Sequence, residues 1–291
     1  MDTTRQLPLA RSDTFSLVAL LFAALLIGLF LTTSIISYIG SPGSRVNLLA
    51  TSTLQNILAF AIPTLIIAWL SRPKPLEYIG LSRSTSWLSL ICMIAVFAVS
   101  LPAMNQLIYW NENVTLPQSM ADLEASFRAM EETARAATDV LLKADSFGAM
   151  LVNVLIMGCL TGLCEELFFR AGLQRLLGRS MSVHAAVWVS AIVFSMMHFQ
   201  FFGFLPRVLL GAFFGYLYAW SGSIWLNATA HALNNSLVVV TAWIEHSAGS
   251  DIDSEMWGVS IAGFPWLPLL SAIVAVSAFI WFHRKKYFGN G

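Results

Sequence analysis

The chain has 291 residues, 57% of them apolar and only 11% charged, and its 16 Lys and Arg balance 16 Asp and Glu. Soluble domains carry about 25% charged residues, so this composition, with a mean hydropathy of +0.71, excludes an ordinary water-soluble protein. Zero net charge also removes the basic surface that a nucleic-acid binder needs.

A bilayer core of about 30 Å is crossed by roughly 20 apolar residues in a helix. In chain order, the runs that qualify are 16–38, 48–70, 87–108, 148–170, 183–200, 206–220, 224–244 and 265–282. Only helices satisfy their own backbone hydrogen bonds in lipid. The expected fold class is therefore all-α, a polytopic transmembrane bundle of about eight helices. The first run is too long for a signal peptide and lacks a small-residue cleavage site, so it reads as a retained helix. The one sizeable polar stretch is 111–147. Within it Met120, Leu123, Phe127, Met130, Ala134, Ala137 and Leu141 recur at three- and four-residue steps, which predicts an amphipathic helix in a long outer loop. That helix could lie on the membrane, cap the bundle or act as a lid. Gly211 and Gly215 form a small-x-x-x-small pair that would let the sixth helix approach a neighbour closely.

Four segments follow: an N-terminal three-helix part (1–110), the extracytoplasmic amphipathic loop (111–147), a four-helix core (148–245), and a final outer loop, helix and basic tail (246–291). With both termini in the cytoplasm, 11 Lys and Arg fall inside, counting Arg5, and 5 fall outside, as the positive-inside rule requires. This predicts a multi-pass inner-membrane protein with cytoplasmic termini. The three cysteines, Cys92, Cys159 and Cys164, lie in apolar runs without metal or disulfide spacing. Cys164, beside two glutamates, reads as a small buried hydrophobe or a nucleophile.

Chemistry is expected where ionisable groups enter the apolar runs. Each costs at least roughly 2.5 kcal/mol in a span, and such groups face a cavity or a partner. The fourth run holds three of them: Glu165, Glu166 and Arg170. Glu166 and Arg170, four apart, share a helix face and can pair; Glu165, about 100° around, points elsewhere. His198 closes the fifth run, and His231 and Asn235 share a face of the seventh. If the fourth helix runs to about Gly178, Glu165 lies about 15 residues before the hairpin turn and His198 about 18 after it, at similar depth. His231 lies roughly 12 Å along a helix that starts near Ser223. A carboxylate, two imidazoles and a carboxamide could therefore meet, in the half of the membrane nearer that hairpin.

Glu165-Glu166-x-x-x-Arg170, Phe194-x-x-x-His198 and His231-x-x-x-Asn235 resemble, in order, the three motifs of the CPBP family. That family groups CAAX prenyl endopeptidases of the Rce1 type with bacteriocin-processing and immunity proteins. The resemblance covers about 145–245. It implies an intramembrane endopeptidase in which Glu165 is the general base for water, assisted by His198. His231 and Asn235 would polarise the scissile carbonyl and hold the oxyanion, while Glu166, Arg170 and Phe194 support them. The same four residues, Glu165, His198, His231 and Asn235, could instead ligate zinc. An amide is a poor zinc ligand, however, and His-Glu-x-x-His is absent, so no required cofactor is the favoured expectation. The expected partners are a membrane-bound protein or peptide substrate and the bilayer, with no nucleic acid. Compact length and the absence of a targeting sequence suggest a bacterial protein. A non-catalytic scaffold or immunity protein, or an ion-coupled transporter, are the alternatives. A transporter should show two related halves, and here the polar residues occupy one block.

Overall fold

The protein is described by a computed structural model covering residues 7–248 and 256–289; Arg5 and part of the last outer loop, 249–255, lie outside them. The described residues form helices and turns, with no strand among them. The long helices are α1 (Thr14–Ile36), α2 (Arg45–Ser71), α3 (Trp87–Glu112), α4 (Ala121–Leu142), α5 (Phe147–Leu177), α6 (Val183–Met196), α7 (Phe204–Ser221), α8 (Ile224–Ala248) and α9 (Trp266–Arg284). Several starts are fixed by local chemistry. Asp13 Oδ1 accepts from the Ser16 amide at 2.9 Å, and the Ser44, Ser146 and Ser182 hydroxyls cap α2, α5 and α6 in the same way.

Six helices among the described residues, α1, α2, α3, α5, α7 and α9, are long and apolar enough to cross a membrane. Helix α8 has 25 residues, but Asn227, His231, Asn234 and Asn235 interrupt its apolar character. Helix α6 is a correction to the expected run 183–200. It has only 14 residues, and the chain turns before His198, with Phe199 in the left-handed region at φ 54°. A phenylalanine there is strained, and such strain is common at functional sites. The polar loop does contain the expected amphipathic helix, α4, none of whose residues is fully buried.

The core is built around α5. Leu17, Leu21 and Leu25 of α1, Phe60 and Ile67 of α2, and Phe168, Phe169 and Leu173 of α5 form one buried cluster with Phe194 of α6. Cys164 belongs to it at 3% exposure, as expected of a small buried hydrophobe. On its other face α5 nearly touches α8. A Cβ on Gly162 would lie 2.8 Å from the Ala232 backbone nitrogen. Only glycine allows backbones this close. Gly211 serves α7 similarly, with Ala191 of α6 3.2 Å from its would-be Cβ. Because the Ala232 backbone cannot yield, Gly162→Val is expected to destabilise the fold by about 1–3 kcal/mol through overpacking. Thermal unfolding in detergent would show this as a lowered midpoint; an unchanged midpoint would contradict the close approach of α5 and α8.

Candidate active site

Around the glutamate pair, α5 is not uniform. Its turns widen to i→i+5 hydrogen bonding over Val154–Leu160 and again over Leu167–Gln174, on either side of Thr161–Glu166. Widened turns of this kind recur at functional sites because they re-aim side chains. Here they flank the segment that presents two carboxylates towards α8.

Glu166 is fully buried and completely engaged. One oxygen, Oε2, accepts from Asn227 Nδ2 at 2.6 Å and pairs with Arg170 Nε at 3.1 Å; the other, Oε1, accepts from His231 Nδ1 at 2.9 Å. The i,i+4 pair with Arg170 is as expected. The contacts with Asn227 and His231 were not foreseen, and they change the meaning of Glu166 from a helix brace to the orienting partner of a histidine. Asn227 itself went unassigned, although its position four residues before His231 places it on the same helix face. The Arg170 guanidinium is buried beside the Phe194 and Phe214 rings, 5.0 and 5.9 Å from their centroids, as a cation–π group.

These contacts fix the chemistry of both imidazoles. A carboxylate or carbonyl oxygen can only accept, so the ring nitrogen facing it must carry hydrogen. His231 therefore donates from Nδ1 to Glu166. His198 donates from Nδ1 to the Phe194 carbonyl at 2.8 Å. In each ring Nε2 is left for the cavity. His231 Nε2 lies 3.8 Å from Glu165 Oε2, whose side chain keeps 14% of its surface open. The Phe194 ring packs edge-on to both imidazoles, with centroids 5.0 Å from His198 and 5.8 Å from His231. The Phe214 ring stacks on His231 at 4.8 Å. Asn235 donates from Nδ2 to the Met157 carbonyl at 3.1 Å and accepts from Asn234, which leaves one N–H of its carboxamide for another acceptor.

One cavity of about 400 Å³ is lined by Glu165, His198, His231 and Asn235 together, with Phe194 in its wall. All four candidate residues are thus brought to one place. The volume falls within the usual range of ligand pockets. Its walls reach further than the sequence suggested. Ser52 of α2 and Thr138 and Leu141 of α4 take part, as does Arg207 of α7. The cavity extends from the four groups towards the end of the bundle where α4 lies. Arg207, also missed, donates to the Gln200 carbonyl and side chain at 3.1 and 2.8 Å, and Gln200 donates to Glu131 of α4 at 3.1 Å. Phe127 of α4 stacks on Phe201 at 4.9 Å. Helix α4 is therefore fastened beside the cavity mouth. Among the described residues, no three His, Cys, Asp or Glu side chains converge as a set able to hold a metal ion.

Compared with known families, residues 147–237 match the type II CAAX prenyl endopeptidase Rce1-like family. This segment is similar to that family. It contains α5, α6, α7 and the half of α8 that bears His231 and Asn235. The chain is also similar to the uncharacterized protein YpbD of Bacillus subtilis (strain 168), at 22% identity over 98 residues. That likeness covers 32% of this chain and 48% of YpbD, so it spans about half the length of the relative. Together, the similarity of this segment and the apolar helices support a multi-pass membrane protein.

Proposed function

We propose that this protein is an intramembrane endopeptidase that hydrolyses a peptide bond of a membrane-associated protein or peptide by glutamate-activated water. The observation that carries the reading is the shared cavity in which Glu165 Oε2 faces His231 Nε2 at 3.8 Å beside His198 and Asn235. The Rce1-like match over the same helices supports the reaction class.

Charge balance supports the division of roles. With every group ionised, Glu165, Glu166 and Arg170 leave one uncompensated negative charge among low-dielectric surroundings, which is costly. One proton, on either Glu165 or His231, neutralises the cluster. With that proton on His231, Glu165 is a carboxylate base and His231 Nε2–H is a donor. Both are the forms the reaction needs. Water, held also by His198 Nε2, gives a proton to Glu165, and the hydroxide oxygen bonds to the scissile carbonyl carbon. The carbonyl oxygen becomes an oxyanion that accepts from His231 Nε2–H and from the remaining Asn235 N–H. On collapse the C–N bond breaks and the amine nitrogen takes the proton from Glu165. Glu166, Asn227 and Arg170 touch no substrate in this scheme; they position His231. Thr138 and Leu141 place α4 where it would cover a bound chain.

We further propose that no metal is required, because Asn235, the fourth candidate ligand, is an amide whose oxygen already accepts from Asn234, and no three His, Cys, Asp or Glu side chains converge among the described residues. Cleavage by purified protein is expected to persist at full rate after prolonged chelation. Loss of activity on chelation, restored by added zinc, would overturn this. The excess of Lys and Arg on one side supports cytoplasmic termini in a bacterial inner membrane.

A further inference from the structure

At the end of the bundle opposite α4, where the α5–α6 hairpin turns, a second cavity of about 390 Å³ lies among the 72–83 segment, α5, α6 and α7. It takes no part in the chemistry above. Arg72, Arg83, Arg175 and Arg179 all line it, and no carboxylate does. Glu77, next to Tyr78 in the chain, is exposed and paired with Lys74 at 3.2 Å. None of the four arginines has an ion pair among the described residues.

Three of the guanidinium groups, those of Arg72, Arg175 and Arg179, are held in place rather than left to spread. Arg72 and Arg175 both lie over the Tyr78 ring, at 4.7 and 4.5 Å from its centroid. Arg175 donates to the Tyr218 hydroxyl at 2.7 Å, and Arg179 to the Ser12 carbonyl at 3.0 Å. Those partners are neutral, so they fix geometry without cancelling charge. Arg72 Nε is buried and has no hydrogen-bond partner, a donor that calls for an acceptor. Free arginines repel one another and reach for bulk water. Four of them around one concave surface, two packed on Tyr78 and one with a buried unsatisfied N–H, form an arrangement that an anion completes.

We propose that this cavity is a binding site for a phosphate group. Guanidinium forks match phosphate oxygens in bidentate hydrogen bonds, and basic pockets between membrane helices at the interface suit lipid headgroups. The phosphate could belong to an anionic phospholipid or to a water-soluble phosphomonoester. The proposal does not depend on the protease reading, because none of its residues touches the catalytic cavity.

The test uses the full-length protein in phosphatidylcholine nanodiscs, with binding followed by native mass spectrometry and by thermal midpoint. The probes are short-chain phosphatidylglycerol and glycerol 3-phosphate. At least one probe is expected to bind saturably to the wild type, and the Arg72→Gln/Arg83→Gln double variant should bind it at least about tenfold more weakly. Phosphatidylglycerol binding alone identifies a lipid site, whereas equal binding of glycerol 3-phosphate identifies a soluble ligand. Lys74→Gln, exposed and outside the cavity, should bind as the wild type does. If the double variant fails to fold, Arg179→Gln, whose side chain is exposed, carries the test with the same expected direction. Binding unchanged in the arginine variants, equal loss in Lys74→Gln, or no saturable binding of either probe would overturn the proposal.

Discussion

Glu165→Gln is expected to leave the protein folded and to reduce cleavage by at least about 10²–10⁴-fold, the contribution of a positioned general base. Glutamine keeps the shape of the side chain but cannot accept the proton that water must lose. Its carboxamide fits where a carboxylate with 14% exposure now stands, and it removes one charge from the buried cluster. The thermal midpoint should therefore be unchanged or raised. Glu165→Asp withdraws the carboxylate by one methylene and should recover part of the rate. Initial rates in proteoliposomes, set beside the melting curve, separate the chemical effect from misfolding. A Glu165→Gln enzyme that cleaves at the wild-type rate would end its assignment as base.

The second large effect is at Glu166. Glu166→Ala removes the acceptor for Asn227, His231 and Arg170 at once, and strands a fully buried guanidinium. Leaving one partner of a buried ion pair alone costs about 3–5 kcal/mol, a large share of the stability of an ordinary domain. The expected result is loss of folded protein from detergent extracts. The double variant Glu166→Gln/Arg170→Met removes both charges in similar volume, and its fold should largely return. Activity should not return with it, since a neutral amide holds the His231 ring less firmly and its –NH2 can face Nδ1. Recovery of both stability and activity in the double variant would reduce Glu166 to a brace between helices.

How much of this could be read from the sequence depends on the kind of signal. The α5 carboxylates, His231 and Asn235 were legible because ionisable and amide groups in apolar runs are expensive and stand out. The i,i+4 relation of Glu166 to Arg170 gave their pairing. That His231 also binds Glu166 was not legible. It depends on the close approach of α5 and α8 at Gly162, and on the widened turns that rotate the α5 side chains, neither of which has a periodic signature. His198 was read as the end of a helix, but a left-handed Phe199 ends α6 early and leaves the ring in a turn. Such a conformation is set by tertiary packing, since nothing in phenylalanine favours it. The amphipathic pattern of α4 was plain, yet its place at the cavity rim rests on Gln200, Phe201 and Arg207, contacts distant in sequence. Asn227 was overlooked although it shares the spacing of His231 and Asn235, and it could have been found by extending that face one turn back.

The account as a whole rests on catalysis at Glu165, and comparing protein termini in membranes of cells that express the wild type or the Glu165→Gln protein tests it most directly. Quantitative mass spectrometry of new carboxyl and amino termini should reveal a set of membrane-associated cleavage products made by the wild type and absent with Glu165→Gln, at equal protein levels. Identical termini in the two membranes would contradict the proposal that this cavity cuts peptide bonds.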